Sequence, residues 1–388
     1  MPRFSCFLET SDQPVTPEHP VWSLPLPCGR QSTPRGFRAE PGNAPSVGDY
    51  LGAVQLFLEG PARDAIAQYL TQRSAGLSYP EAFRIYLAKH GEFYHPARVQ
   101  ASVGGNCFQW VVNVAASPAG TALIRKEYAL LQQLARQFQP VYVPEVHAFA
   151  EVQIAGGLCL PMFLGEWFSG YHEFHLTRNS PSGELGLVLW DPESGSRILA
   201  REQCAKLYCR AARILTHYFN PSSFECIGAW HHAAGDFVAR LSPSGVDVRL
   251  VTVREYRSLF RSRHDPRGPD ADIRTLLDAL LLFLLQVSIR MRLDRLDGVG
   301  QIAWSGPEAV KGTLAGVLEA LADKPAPAGL PLDVLFSRYL TSCSEADLLD
   351  ICRGFVAKTF NSGAPELPLV ISRLPEHAAE LAEAILRL

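Results

Sequence analysis

From Ala82 onward the apolar residues fall at alternate positions in a series of short runs, and beyond residue 200 they recur at every third or fourth position instead. That change of period restricts the fold more than any other feature of the chain. A period of two suits a half-buried strand, and a period near 3.6 suits one face of a helix. The strand-like runs are Phe83 to Leu87, Ala97 to Val103, Phe108 to Ala115, Glu145 to Gln153 and Leu158 to Leu164. Their close succession predicts a small antiparallel sheet. One helix interrupts them: Thr121 to Phe138 carries Leu123, Tyr128, Leu131, Leu134 and Ala135 along a single stripe, which would rest on the sheet.

Two short helices, Tyr50 to Leu58 and Ala62 to Tyr69, are expected ahead of the sheet, divided by Gly60-Pro61. Residues 1–45 are rich in Pro, Ser and Gly, with only isolated Trp22, Leu24 and Leu26, and are expected to form an extended arm over the folded body. After the sheet comes a polar crossover, then helices over Glu202 to Tyr218, Ile273 to Leu293, Pro307 to Ala322, Leu332 to Tyr339, Ser344 to Lys358 and Pro375 to Leu388. Set among them is one hairpin, Phe237 to Leu241 and Val246 to Val253. The fold class expected is α+β and bilobal. Its parts are an arm over 1–45, a β-rich lobe with two leading helices over 46–168, and a larger helical lobe over 169–388.

At 388 residues the chain exceeds one compact core and suits two. A net charge of −3, with Lys and Arg scattered, lacks the basic stripe of a nucleic-acid binder, so no nucleic acid is expected as a partner. The nine cysteines are dispersed with no CxxC pair, which fits a reducing compartment. No apolar stretch follows the first residues, so no secretory signal is expected and the chain is placed in the cytoplasm. Its longest apolar run, Ala279 to Ile289, is about half of the ~20 residues a bilayer span needs and reads as a buried helix, so no membrane association is expected.

The order of strands, helix, strands, crossover and helical body, with a loop feeding a hairpin, resembles the protein-kinase-like fold over roughly residues 80–300. It is most similar to the branch of aminoglycoside phosphotransferases and choline kinases. The resemblance implies ATP and Mg²⁺ held between two lobes and a hydroxyl acceptor on a small molecule or a protein. Gly104, Gly105 and Asn106 stand where such proteins have a glycine-rich turn over the phosphates, although the pair also suits a plain hairpin. Asn113 takes the place of the phosphate-gripping lysine, and Glu127 the place of that lysine's glutamate partner. An amide cannot offset phosphate charge, so either Arg125 or Lys126 reaches in or triphosphate binding is weak. Glu166 and Trp167 match the hinge that meets an adenine edge.

Aligned on the strand at Phe237, Asp236 falls at the metal-binding asparagine of the family and His231 at its catalytic aspartate. An imidazole titrating near ~6.5 can accept a hydroxyl proton. A second register makes Asp236 itself the base. Glu255 is the one carboxylate near the family's second metal ligand, with Arg254 beside it as a competitor for its charge.

Three functions follow. The first is an atypical phosphotransferase with His231 or Asp236 as base and Asp236 and Glu255 on Mg²⁺. The second is a pseudokinase, a binding or regulatory module on the same scaffold, which Asn113 favours. The third leaves the family for a metal-dependent hydrolase using His231, His232 and Asp236 with His172 or His175, the last two spaced to share a helical face.

Overall fold

The computed structural model describes residues 2–9, 11–26, 44–73, 78–88, 91, 93–178, 183–191, 195–228, 230–231, 235–243, 245–260, 273–325 and 329–388. His232 and residues 27–43 of the expected arm lie outside them. The chain divides into two compact units, one of residues 1–137 and 144–169, the other of residues 138–143 and 170–388.

The first unit contains β1 (Arg3–Leu8), α1 (Val47–Glu59), α2 (Arg63–Arg73), β2 (Ala82–Leu87), β3 (His95–Val103), β4 (Asn106–Val114), α3 (Pro118–Gln137), β5 (Val146–Gln153) and β6 (Cys159–Glu166). The strands form one sheet in the order β1-β2-β3-β4-β6-β5, antiparallel throughout except for the parallel pair β1 and β2. The expected five-stranded sheet is therefore six-stranded. The start of the presumed arm is an edge strand, with Phe4 stacked on Phe83 at 5.6 Å and Phe7 on Tyr86 at 5.0 Å. Its apolar alternation lasts only from Phe4 to Leu8 and is followed at once by proline-rich sequence, which hid it.

Helix α1 starts at a capping box: the Asp49 N–H donates to Ser46 Oγ at 3.0 Å, and the Ser46 N–H donates to Asp49 Oδ2 at 2.9 Å. Tyr50, Leu51, Val54 and Phe57 on this helix join Ile85, Val99, Trp110 and Val112 of the sheet in one buried cluster. Helix α3 buries Ile124, Glu127, Leu131 and Leu134, a helical stripe in contact with β5 and β6.

The second unit begins with a three-stranded sheet, β7 (Phe174–Arg178), β8 (Leu185–Leu189) and β9 (Arg197–Ile198), where the sequence suggests only a polar crossover. Its strands are two to five residues long, too short to show a clear period. Next come α4 (Arg201–His217), β10 (Glu225–Gly228), β11 (Phe237–Ser242), β12 (Gly245–Leu250) and β13 (Glu255–Ser258). The hairpin β11–β12 forms as expected, and β10 pairs with β13 across it. The remainder is α5 (Ile273–Arg292), the hairpin β14 (Leu293–Arg295) and β15 (Ile302–Trp304), then α6 (Pro307–Ala322), α7 (Leu332–Leu340), α8 (Glu345–Thr359) and α9 (Leu367–Ile385).

Helix α9 starts eight residues ahead of Pro375, which lies inside it instead of opening it. Proline leaves the carbonyl four residues earlier without a helical donor, and Ile371 is an exposed residue where water can supply one. The apolar run in α5 is buried, and among the described residues no helix is long and apolar enough to cross a membrane. Each unit thus has its own architecture, a small sheet with helices in the first and a mainly helical body with small sheets in the second, and the fold class is α+β.

Candidate functional site

Gly104 and Gly105 form a two-residue loop in which Val103 pairs with Asn106, and both glycines have positive φ, 59° and 80°. A type I′ turn requires that backbone at both central positions, so local geometry alone accounts for the pair. Asn113 lies at the other end of β4, opposite Pro96 on β3 and Phe163 on β6. Seven residues of extended strand separate Asn106 from Asn113, about 23 Å at ~3.3 Å per residue. The glycine turn and the lysine-equivalent position are therefore not brought together. The connection at Asn113's end of the sheet is the one from β2 to β3, where the Gly91 N–H donates to the Tyr94 carbonyl at 3.0 Å.

Glu127 is not the solvated helix residue its charge suggests: it is 1% exposed. Arg125 and Lys126 beside it are both exposed, and Arg125 is held by Glu151 at 2.6 Å and lies over the Phe149 ring. Glu166 closes the end of β6, its carboxylate accepting the Glu145 N–H at 3.3 Å while its own N–H donates to the Glu145 carbonyl at 2.8 Å. The half-buried Trp167 has a neighbour within the same unit, the Arg98 guanidinium 5.8 Å from its ring.

In the second unit, Asp236 precedes β11 and is 1% exposed. Both of its oxygens are engaged. Arg254 donates Nη1 to Oδ2 at 2.7 Å and Nη2 to Oδ1 at 2.5 Å, and the His231 main-chain N–H donates to Oδ2 at 2.7 Å. A planar guanidinium matches a carboxylate in this two-point manner, and such charge-assisted pairs are the strong ones. The Asp236 carbonyl also accepts the Val251 N–H at 2.8 Å, tying the loop to the end of the hairpin. Sequence adjacency suggested that Arg254 would compete for Glu255, but successive side chains of an extended segment point opposite ways. Glu255 lies against Gly228 across the β10–β13 pair and is held by Arg257 at 3.0 Å. A Cβ at Gly228 would meet the Glu255 carboxylate at 2.7 Å.

The histidines of the hydrolase reading do not share a helical face, because they lie on and just before a strand. His172 exchanges main-chain hydrogen bonds with Ala239 at 2.9 Å each way, and its ring is 3.7 Å from Asp191. His175 on β7 is 2% exposed, with Nδ1 3.3 Å from Asp294 and Nε2 3.6 Å from Glu173. Burial opposes charge on this ring, but the Asp294 and Glu173 carboxylates outweigh it and bring the imidazole up to about 9. Asp294 is fixed by the N–H groups of Leu176 at 2.6 Å and Arg295 at 2.7 Å. Among the described residues, no group of three or more His, Cys, Asp or Glu is arranged to hold a metal ion.

No protein-family model matches the chain, and no curated protein matches it. Among solved structures it is similar to WaaP in complex with acyl carrier protein, at 10% identity and a TM-score of 0.28, over 71% of this chain and 88% of that one. So loose a superposition transfers no residue roles.

Proposed function

We propose that this chain is a degenerate kinase-like protein, a pseudokinase serving as a binding or regulatory module. The observation that carries the reading is the grip of Arg254 on Asp236. In the register that aligns Asp236 with the family's metal-binding asparagine, an internal guanidinium brings positive charge to the carboxylate that Mg²⁺ would otherwise meet. A metal entering there must displace a two-point ion pair whose side chains are 16% and 1% exposed.

Other residues support the same conclusion. Asn113 supplies no charge for a triphosphate, Arg125 is engaged by Glu151, and Glu255 is paired with Arg257. The glycine pair stands far from Asn113, and on a count that places the phosphate-gripping lysine on the third strand from β2, the hairpin containing Gly91 is the better counterpart of the family's glycine loop.

The test is a thermal-shift titration with ATP, run without metal and with Mg²⁺ or Mn²⁺, alongside an ATP turnover assay. We expect no metal-dependent gain in melting temperature and no turnover. A metal-dependent gain that disappears in Asp236→Ala would overturn the proposal in favour of an atypical phosphotransferase with His231 as base. Metal binding in the absence of nucleotide would favour a hydrolase instead.

A further inference from the structure

The second unit also contains a recess of about 330 Å³ between α4 and the β11–β12 hairpin. Its lining includes Arg210 and Arg213 from the helix, Arg240, Ser242 and Asp247 from the hairpin, and Tyr142 from the segment 138–143. Three guanidinium groups therefore meet one carboxylate. The placement follows from the elements: residues three apart on a helix share a face, and Arg240 stands directly across the hairpin from Asp247.

The arginines are only loosely satisfied by protein acids. Asp247 is shared among the Tyr171 hydroxyl, which donates to it, Arg240 at 3.7 Å and Arg249 at 3.5 Å. Arg210 and Arg213 share Glu319 on α6 at 3.7 and 3.5 Å, and Arg213 also meets Asp323 at 3.1 Å. All five of these ion-pair separations exceed the 2.7–2.9 Å typical of a charge-assisted hydrogen bond. Counting the acids behind the recess as well, four guanidiniums face three carboxylates. A guanidinium has five N–H donors, so Glu319 on α6 and Asp323 just after it can orient Arg210 and Arg213 while donors remain for a ligand.

An ordinary solvated ion-pair network also draws acids and bases together, but it has no reason to be concave or to carry an excess of one sign. A recess whose lining carries more positive than negative charge favours anions. Its volume lies at the low end of small-molecule pockets, and Tyr142 gives it an aromatic wall. We propose that this recess is a binding site for a small soluble metabolite bearing a phosphate or diphosphate group, with Arg210, Arg213 and Arg240 as the anion-holding residues. The site shares no residue with the Asp236 centre and stands or falls independently of it.

Inorganic pyrophosphate is the probe, titrated calorimetrically into the full chain against sodium sulfate at equal ionic strength. The expected result is saturable pyrophosphate binding, with sulfate at least tenfold weaker. Losing one charged hydrogen-bond partner is worth about 1.5–3 kcal/mol, so Arg240→Gln and Arg213→Gln should each weaken binding by about tenfold or more. Arg210 is half exposed, so Arg210→Gln leaves the fold intact and serves as the variant that separates lost binding from lost structure. Asp247→Asn should tighten binding by removing the competing carboxylate. Equal responses to pyrophosphate and sulfate, or unchanged affinity in the Arg210→Gln/Arg240→Gln double variant, would overturn the proposal.

Discussion

Asp236 is buried and Arg254 is partly buried against it, so the guanidinium offsets a carboxylate that water cannot reach. Breaking a buried pair by removing one partner leaves an uncompensated charge and costs about 3–5 kcal/mol. Arg254→Ala should therefore lower the stability measured by urea denaturation by that amount, whereas a loss within about 0.5 kcal/mol is what an exposed pair would give. His175 makes a prediction of opposite chemical character. Its folded value, up to about 9, lies above the ~6.5 of an unfolded chain, so its stabilising contribution is complete below ~6.5 and is lost as pH rises toward 9. Burial holds His217 and His377 down, to about 4 and about 3, so both are already neutral through that window. Lys324, lowered by burial to about 8, loses its proton within the upper part of that window and offsets part of the effect there. Between pH 6.5 and 8 the melting temperature should fall, corresponding to a loss of about 2 kcal/mol at about 1.4 per pH unit, and His175→Gln should flatten that slope. An unchanged slope in the variant would show that the ring is neutral when folded.

Packing between elements makes glycine positions unequal. On α6, a Cβ at Gly312 would run into the Ala205 carbonyl of α4, and one at Gly316 into the Cys209 carbonyl. These two absent side chains let the helices approach to backbone contact. Gly316→Ala should cost about 1–3 kcal/mol by overpacking, even though alanine is the better helix former. Gly354 on α8 is exposed, with nothing within 4 Å of a Cβ, so Gly354→Ala should stabilise by about 0.4–1 kcal/mol. Chemical denaturation of the two variants reads both signs, and a stabilised Gly316→Ala would mean that α4 and α6 stand further apart than described. At this scale the sequence was informative where elements are long. Pro307–Ala322 has the bounds its periodicity predicts, α5 starts at the expected Ile273, and the other ends of α3, α4 and α5 differ by one to three residues. The strands β7, β8, β9, β10 and β13 were not legible, because two to five residues hold too few alternations to tell a strand from a loop.

The two units differ in what closes them. In the first, β1 covers the edge of β2, which would otherwise present unpaired N–H and carbonyl groups to other chains. A chain lacking residues 2–9 also loses the buried Cys6 and the stacks of Phe4 and Phe7. It should melt at a lower temperature and self-associate in light scattering, and a monodisperse variant of unchanged stability would show the edge to be protected otherwise. In the second unit, Arg292 of α5 is fully buried, with the Ser305 carbonyl at 2.8 Å and Glu376 and Glu380 of α9 as acidic partners, so the C-terminal helix is tied to the body by charge as well as by apolar packing. By itself the sequence determined the α+β class, five strands of the sheet, the hairpin and most helices, because hydrophobic period and proline or glycine breaks act within a dozen residues. Only the tertiary structure decided that Arg254 serves Asp236 and not Glu255, that Glu127 is buried, and that arginines from positions 210 to 240 line one recess. Those facts depend on which way side chains point after distant segments have paired, and a linear pattern does not contain that information.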